Sequence, residues 1–316
     1  MRCATIDIGS NSILLLIAES KTARAIEPLI EKVAITRLGE GLNQCGVLKE
    51  AALSRSLTLL EEYAETIRAH GVERKAAVAT SAVRSAGNGE AFRAAASALL
   101  GVEVEIVSGA REAELSFQGA CQGLSSLGKR RALIDIGGGS TEFVCGDAEQ
   151  IESARSVEIG SVRLFERFID QDPPSLASLA AMDSAIDEAL APLDGLLHGD
   201  LIGVAGTVVT LAMLELALPN FERERLHGLS LSLAEVEKWC RTLASLPDHA
   251  RRQLPGMVAG RSDVLLCGAR ILHCAMRRNA QNSLRISVGG LRYGLAAELF
   301  REMRAAAAID SPPAVS

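Results

Sequence analysis

One short pattern occurs twice in this chain, and it limits the possible folds more than any other feature of the sequence. Residues 4–12 read Ala-Thr-Ile-Asp-Ile-Gly-Ser-Asn-Ser, and residues 133–141 read Leu-Ile-Asp-Ile-Gly-Gly-Gly-Ser-Thr. Each copy begins with a β-branched run, turns through glycine and small hydroxyl residues, and continues into a second strand-like run. Both copies therefore predict a strand, a tight turn and another strand.

The residue types in these turns suit the binding of phosphate. Glycine allows successive backbone N–H groups to converge on an anion, and serine and threonine hydroxyls add donors with little bulk. An aspartate at the end of a strand would repel phosphate, so we expect Asp7 and Asp135 to hold a divalent cation or its water ligands. Two such turns facing each other would hold a phosphate chain and a metal ion between two domains.

Other phosphate-binding motifs fit these residues less well. A dinucleotide-binding fingerprint or a P-loop requires a helix directly after the glycines, and neither copy ends in Gly-Lys-Ser/Thr. Two ordinary β-hairpins remain the simplest alternative for either copy taken alone. The repetition of Ile-Asp-Ile-Gly roughly one domain length apart favours the phosphate-binding interpretation.

Composition narrows the class of partner. The chain has 316 residues, which favours about two domains, and a formal net charge of −6. An acidic chain does not attract polyanions through its overall field, so a phosphate site must rely on local basic groups, backbone N–H groups and a metal. Aromatic residues make up 3% of the chain, with one tryptophan, which argues against stacking on single-stranded nucleic acid. We therefore expect no nucleic-acid partner.

The cysteines and histidines form no recognisable motif. Seven cysteines, an odd number without CxxC spacing, indicate reduced thiols in a cytosolic protein. The five histidines show no metal-ligand spacing. Met1-Arg2-Cys3 leads directly into the first strand, and no stretch reaches the ~18 apolar residues of a membrane span. We expect a soluble cytoplasmic protein without a signal peptide and without a membrane partner.

Strand and helix patterns alternate in both halves of the chain, which predicts an α/β fold with helices outside the sheets. A break rich in serine, glycine and lysine occurs at residues 125–130, just before the second copy of the pattern. We place the domain boundary there, with an N-terminal domain over residues 1–124 and a C-terminal domain over residues 125–316. Each domain then contains one phosphate turn.

Several helix ends have sequence signals. Asn88 and Ser108 are expected to cap the helices that follow them. In the second half, the pattern predicts one long helix over residues 175–197. Gly206-Thr207 is expected to lead from a strand into a helix over residues 208–216.

Taken together, the motifs of the chain resemble the exopolyphosphatase/guanosine pentaphosphate phosphohydrolase family, in the family's order and spacing across residues 1–300. Some members have a further helical domain, so this chain is similar to the short form. The matching motifs are Ile6-Asp7-Ile8-Gly9-Ser10-Asn11-Ser12, Ala79-Thr80-Ser81-Ala82-Val83-Arg84, Ser108-Gly109 through Glu112-Ala113, Ile134-Asp135-Ile136-Gly137-Gly138-Gly139-Ser140-Thr141-Glu142, Gly206-Thr207, His227-Gly228, Arg261-Ser262-Asp263 and Gly289-Gly290-Leu291-Arg292.

The resemblance implies both a fold and a reaction. The fold is that of two similar ribonuclease H-like domains around a cleft, as in the superfamily of acetate and sugar kinases, heat-shock ATPases and actin. The reaction is the Mg²⁺-dependent removal of a terminal phosphate from inorganic polyphosphate or from guanosine pentaphosphate (pppGpp). The resemblance also implies a homodimer.

The resemblance assigns roles to individual residues. Glu112 would be the catalytic base, although a glutamate in a first helical turn also complements the helix dipole. Glu142 would orient the attacking water or hold a metal-bound water, and Asp7 and Asp135 would bind Mg²⁺ with it. Arg84 would hold a phosphate with two hydrogen bonds, unless it is a surface arginine. The remaining phosphate-binding candidates are Gly9, Ser10, Asn11, Ser12, Gly137, Gly138, Gly139, Ser140, Thr141, Gly206 and Thr207.

One position departs from the family pattern. The family usually shows two adjacent glutamates, whereas this chain has Arg111-Glu112. If Ser108 caps the helix, Arg111 replaces the glutamate that would complete a capping box. Either this helix start is looser than in relatives, or Arg111 contacts substrate phosphate.

Several functions remain open at this point. The leading hypothesis is exopolyphosphatase, and the alternatives within the family are hydrolysis of pppGpp or of a nucleoside triphosphate. A kinase or a nucleotide-binding switch on the same fold is an alternative of another class, as is a catalytically weak protein that binds guanosine tetraphosphate. Chain-length preference, processivity, the monovalent-ion requirement and the geometry of the oligomer have no signal in the sequence.

Overall fold

The two copies of the repeated pattern each open a sheet. The computed structural model describes residues 1–21, 26–124, 127–147 and 150–309. In the first sheet the strand order is β3-β2-β1-β4-β5. Strand β1 pairs antiparallel with β2 and parallel with β4. These strands are β1 (Arg2–Ile8), β2 (Ser12–Glu19), β3 (Glu27–Ile35), β4 (Arg74–Ala79) and β5 (Val104–Ile106).

The second sheet repeats this arrangement. Its order is β10-β11-β9-β6-β7-β8, in which β6 pairs antiparallel with β7 and parallel with β9. Strands β8, β7, β6, β9 and β11 therefore correspond to the five strands of the first sheet in the same order. The strands are β6 (Arg131–Ile136), β7 (Thr141–Gly146), β8 (Ile151–Val157), β9 (Asp200–Val204), β10 (Ser230–Ser232) and β11 (Ser283–Ile286).

Helices cover the faces of both sheets. The first core contains Ile6, Leu15, Leu60 and Phe92, and a separate core in the second half is built around Ile134. The helices of the first half are α1 (Leu42–Cys45), α2 (Glu50–Ala69), α3 (Ser81–Ser85), α4 (Gly89–Leu100) and α5 (Gly109–Ala120). Those of the second half are α6 (Ser161–Phe168), α7 (Leu176–Leu190), α8 (Ala205–Glu215), α9 (Arg223–Leu226), α10 (Leu233–Ser245), α11 (Asp248–Arg251), α12 (Leu265–Arg278) and α13 (Leu291–Ile309).

Two helices pack on the sheet of the opposite half. Helix α5 places Ala113 and Phe117 in a cluster with residues of the second sheet, among them Leu133 and Val144. Helix α13 returns to the first sheet, where Phe300 joins a cluster on β1 and β2. The predicted boundary adjoins residues 125 and 126, which lie outside the described residues, and it stays a prediction.

The predictions for the two helix N-caps had different outcomes. Ser108 caps α5, since its Oγ accepts a hydrogen bond from the Arg111 backbone N–H at 3.2 Å. Asn88 occupies the predicted N-cap position of α4, but its side chain does not cap the helix, because it bonds the Leu48 backbone instead.

The predicted boundaries of two helices in the second half were wrong. The helix predicted over residues 175–197 ends at Leu190 and continues only as a 3₁₀ turn, Ala191–Leu193. Pro192 has no N–H to donate, and Gly195 turns the chain with a φ of 76°. Helix α8 begins at Ala205, so Gly206 and Thr207 lie in its first turn instead of before it.

Helices α5 and α13 cross through glycines. A Cβ atom at Gly119 on α5 would overlap the carbonyl oxygen of Gly290, and one at Gly294 on α13 would overlap the carbonyl oxygen of Leu115. The two backbones are therefore in direct contact, which only glycine allows. This contact joins the helix that covers the second sheet to the helix that covers the first.

None of the helices among the described residues combines the length and the apolar character needed to cross a bilayer.

We predict that Gly294→Ala lowers the free energy of unfolding by about 1–3 kcal/mol or more, because the added methyl group forces the two helix backbones apart. Urea denaturation followed by circular dichroism measures this. Gly87→Ala is the matched control, since its Cβ would meet only ordinary contacts, the nearest at 3.5 Å. Equal stability of Gly294→Ala and wild type would contradict the prediction.

Candidate active site

The two phosphate turns have the same hydrogen bonding. In the first turn, residues 9–12, the Gly9 N–H donates to the Ser12 carbonyl at 3.0 Å. In the second turn, residues 137–140, the Gly137 N–H donates to the Ser140 carbonyl, also at 3.0 Å. The strand–turn–strand prediction is therefore confirmed for both copies.

The two turns face each other directly. A Cβ atom at Gly138 would lie 3.1 Å from Ser10 Cβ, and one at Gly139 would lie 2.9 Å from Ser10 Oγ. Between the two halves lies a cavity of about 560 Å³, which we call the cleft. Residues that line it include Asp7, Gly9, Ser10, Asn11, Ser12, Glu112, Asp135, Gly137, Gly138, Gly139, Ser140, Gly206, Phe221 and Arg261.

Several polar atoms beside the turns have no partner. Both side-chain polar atoms of Asn11 and the hydroxyl of Ser81 are buried without a hydrogen bond to any described residue. Buried polar groups in native proteins are nearly always satisfied. These atoms are therefore available to water or to a polar ligand in the cleft.

Three carboxylates meet at the cleft from three different elements. Asp7 comes from β1, Asp135 from β6 and Glu112 from the first turn of α5. Ser116 lies one helical turn after Glu112 and donates a hydrogen bond to Asp135 Oδ2 at 2.5 Å. Because residues four apart share a helix face, α5 presents both side chains to β6.

The surroundings disfavour negative charge on these carboxylates. Burial, with the added repulsion of Asp135, raises the pKa of Asp7 from 3.8 to about 7, although Arg292 opposes the rise. Burial also raises the pKa of Glu112 from 4.5 to about 8, with Arg84 opposing and Asp135 and Asp7 adding to the effect. In each case desolvation and like-charge repulsion outweigh the nearby arginine.

Glu142 lies behind the cleft instead of in its lining. It is 1% exposed, and its Oε1 accepts a hydrogen bond from Ser156 Oγ at 2.7 Å. Burial first, and then repulsion from Glu112 and Asp135, raise its pKa well above the ordinary value. Ser116 and Ser156 are supporting residues that the sequence analysis did not find, because each acts through a partner distant in sequence.

Arg84 contacts the candidate base. Its Nη1 donates to Glu112 Oε2 at 3.1 Å and to the Val107 carbonyl at 2.8 Å. Its Nη2 lies 3.9 Å from Glu158. In this arrangement Arg84 orients Glu112 and is not part of the cleft lining.

Arg111 pairs with carboxylates of α5 and α13. Its guanidinium forms two hydrogen bonds to the Glu298 carboxylate on α13, one of them at 2.9 Å, and another to Glu114 at 3.2 Å. Of the two alternatives for this departure from the family pattern, contact with substrate phosphate is thus not supported. The Ser108 cap is retained, and the pair with Glu298 ties the start of α5 to α13.

Arg261 is the basic group that the sequence analysis quoted in a motif but did not assign to the site. Its Nη2 donates to Ser12 Oγ at 3.0 Å, and a Cβ atom at Gly206 would overlap its guanidinium. Among the described residues no carboxylate pairs with it, and burial lowers its pKa to about 10. A partly buried cation beside the first turn, with no carboxylate partner among the described residues, is suited to bind an anion.

Two predicted phosphate contacts point elsewhere. The Thr141 hydroxyl is fully buried and donates to the Ile159 carbonyl at 2.7 Å. Thr207 is 2% exposed and packs against Gly268 of α12. Neither side chain lines the cleft, whereas Gly206 does.

The donor set of the cleft fits a hard divalent cation. Asp7 and Asp135 supply carboxylate oxygens from facing strands, and Asp135 is bonded to the neutral hydroxyl of Ser116. Mg²⁺ takes oxygen ligands and few protein carboxylates. A bound cation would offset the repulsion that raises the pKa values of these groups.

Comparison with known proteins identifies the family. The model of the Ppx/GppA phosphatase family matches residues 16–302. The chain belongs to this family. It is 36% identical over 283 residues to exopolyphosphatase 2 of Mycobacterium tuberculosis, covering 86% of this chain and 88% of that protein.

Two further similarities extend this result. A guanosine-5'-triphosphate,3'-diphosphate pyrophosphatase of Photobacterium profundum is 27% identical over 310 residues, which cover 95% of this chain and 60% of that longer protein. The crystal structure of the Aquifex aeolicus family member has a TM-score of 0.82 at 31% identity and covers 96% of this chain and 98% of that one. The predicted α/β fold with a cleft between two halves is confirmed.

We predict that the metal-free protein loses stability as the pH rises from about 4 to about 8. The folded state keeps protons on Asp7 and Glu112 at pH values where the unfolded chain, with pKa values of 3.8 and 4.5, has released them. The free energy of unfolding then falls with pH across this window. Urea denaturation in EDTA at several pH values measures the slope.

Asp7→Asn should make this slope shallower, whereas Glu61→Gln, at an exposed position of α2, should leave it unchanged. A slope that Asp7→Asn leaves equal to that of wild type would contradict the prediction.

Proposed function

We propose that the protein is an exopolyphosphatase, which hydrolyses the terminal phosphoanhydride bond of inorganic polyphosphate and releases orthophosphate. The observation that carries this proposal is the pair of facing phosphate turns with Asp7, Asp135 and Glu112 in the same cleft. Family membership and the similarity to a mycobacterial exopolyphosphatase support it.

Among the protein groups, neutral donors and one arginine would bind the phosphate oxygens. Backbone N–H groups of the two turns, with the Ser10 hydroxyl and the Asn11 amide, supply donors that line the cleft. Arg261 adds the positive charge, in the role that the sequence analysis gave to Arg84. Gly206 lets its guanidinium approach the turn region closely.

In this proposal Glu112 acts as the general base. A water oxygen attacks the terminal phosphorus while the Glu112 carboxylate accepts a proton from that water, and the bridging P–O bond breaks. The products are orthophosphate and a chain shortened by one phosphate. Arg84 holds the carboxylate in place at 3.1 Å. A pKa displaced from the ordinary range toward neutrality is typical of a catalytic carboxyl group.

Asp7 and Asp135, with Glu142 through a water ligand, would hold Mg²⁺. When bound, Mg²⁺ neutralises charge on phosphoryl oxygens and lowers the pKa values of the surrounding carboxylates. Glu142 lies behind the lining, bonded to Ser156, so its contribution would be to orient water.

Three short basic runs, at residues 129–131, 251–252 and 277–278, each contain an arginine that pairs with a carboxylate. Arg130 pairs with Glu152, Arg252 with Asp248, and Arg278 with Asp187 and Asp194. Their positive charge is already offset within the described residues. The proposal therefore concerns the end of the polyphosphate chain in the cleft. The cytoplasmic location and the homodimer stay predictions.

One observation favours a nucleoside polyphosphate, such as pppGpp, as a second candidate substrate. One side of the cleft is apolar, and Phe221 and Val33 there are 47% and 53% exposed. A phosphate chain gains nothing from such a wall, whereas a base can stack on it. Asn220, next to Phe221, also lines the cleft and offers an amide to a base edge. The other apolar residues of this wall are Leu14, Val209, Met213, Pro219, Met257 and Val258.

We expect Glu112→Gln to lower phosphate release from polyphosphate by roughly 10²-fold or more, because the amide cannot accept the proton of the attacking water. Phosphate release is measured with long-chain polyphosphate and with pppGpp, in Mg²⁺ and in EDTA. EDTA should abolish release from both. Glu114→Gln, two residues along α5 and partly exposed, should keep the activity of wild type.

Undiminished activity in Glu112→Gln would overturn the assignment of the base. Phosphorylation of a sugar or an acid by ATP, without release of orthophosphate, would replace the hydrolase proposal by the kinase alternative.

We expect Phe221→Ala to raise the KM for pppGpp by roughly tenfold and to leave polyphosphate kinetics unchanged, since only a base loses a stacking partner. Steady-state kinetics with both substrates measure this. Leu176→Ala removes an apolar side chain that is 85% exposed and remote from the cleft, and serves as control. The same KM for pppGpp in Phe221→Ala and wild type would exclude base recognition by this wall.

A further inference from the structure

A second group of metal-ligand side chains lies away from the cleft. Cys145 is near the end of β7, Glu152 is on β8, and His198 is in the loop before β9. Their ligand atoms all lie within 4.8 Å of one another. Strand β7 begins beside the second phosphate turn, so Cys145 lies at the opposite end of that strand from the cleft.

The spacing of the three side chains is close to that of a tetrahedral site. Cys145 Sγ lies 3.3 Å from His198 Nε2, and this nitrogen lies 4.0 Å from Glu152 Oε2. Ligands at about 2.0–2.3 Å from one zinc ion are separated by roughly 3.5 Å when they subtend a tetrahedral angle. Small rotations of two partly exposed side chains therefore suffice to bring all three donors onto one ion.

Neighbouring groups support such a site. The Gly195 carbonyl lies 3.3 Å from His198 Nδ1, so a bond between them leaves Nε2 as the metal ligand. Arg130 donates to both oxygens of Glu152, at 2.6 and 2.5 Å. One carboxylate oxygen can turn to a metal while the other stays on Arg130.

The three side chains differ in exposure, which would give a metal ion a path from solvent and keep the thiol shielded from solvent. Cys145 is 1% exposed, whereas the side chains of His198 and Glu152 are 44% and 40% exposed. An ion can therefore enter from solvent beside His198 and Glu152 and meet the thiol at the buried end.

We propose that Cys145, Glu152 and His198 form a zinc site, with a fourth position open to water. A thiolate ligand selects a borderline-soft ion such as Zn²⁺ over Mg²⁺. Binding would join the β7–β8 hairpin to the loop before β9 and so fix the far end of the strand that carries Glu142. The 53-residue separation of the cysteine and the histidine explains why sequence spacing gave no signal.

The test uses the full chain without a histidine tag and Zn²⁺ as the probe. Zinc affinity is measured by competition with a chromophoric chelator in excess Mg²⁺, which occupies the carboxylates of the cleft. We expect one zinc ion per chain, with the affinity lowered by at least tenfold in Cys145→Ser and in His198→Gln. Cys45→Ser, at an exposed free cysteine, is the matched control and should bind as wild type does.

Co²⁺ reports the identity of the ligands independently of affinity. Bound to wild type, it should give a thiolate-to-cobalt charge-transfer band that Cys145→Ser abolishes, and no cysteine lines the described part of the cleft.

Zinc should also raise the melting temperature of wild type but not that of His198→Gln. His198 is partly exposed, so this variant keeps the test valid if Cys145→Ser folds poorly. Equal zinc binding by His198→Gln and wild type, or a cobalt complex without the thiolate band, would overturn the proposal.

Discussion

Repulsion among buried carboxylates is the constraint on which the centre of this molecule depends. Asp7, Asp135, Glu112 and Glu142 come from four different elements, and burial and mutual repulsion raise the pKa of Asp7 to about 7 and that of Glu112 to about 8. A hydrophobic core gains nothing from such an arrangement. The surrounding fold holds these carboxyl groups together despite this cost, as the proposed binding of a cation and a phosphate would require.

Neighbouring guanidinium and hydroxyl groups offset this repulsion, each by hydrogen bonding to one carboxylate. Arg84 pairs with Glu112, Ser116 donates to Asp135, and Ser156 donates to Glu142. Arg261 is different because no carboxylate among the described residues neutralises it, so its charge remains available to a substrate. In the proposed function, the site thus separates an arginine that holds a protein carboxylate from one that would bind the substrate.

The sequence predicted the structure correctly where the determining interactions join residues that are close in sequence. The Ile-Asp-Ile-Gly repeats predicted both turns correctly, because glycine, β-branched residues and a hydrogen bond across four residues determine each turn. It was less informative where partners are distant. The motif that contains Arg84 predicts a phosphate ligand. The bond that Arg84 forms with Glu112 instead depends on how α5 packs. The proposed role of Arg261 rests on a contact with Ser12, 249 residues away, and the Asn88 side chain does not cap α4 because it bonds the backbone of Leu48, 40 residues away.

The exchange of α5 and α13 between the two sheets has a consequence for the order of folding. One face of β1 packs against α13, where Cys3 shares a cluster with Ala296 and Phe300, and the Thr5 hydroxyl donates to a carbonyl 287 residues away, that of Arg292. On the ribosome, the first sheet would emerge with this face uncovered and stay incomplete until α13 has been synthesised. Contacts so distant in sequence slow folding. The first sheet is thus made early but completed late, when α13 has been added.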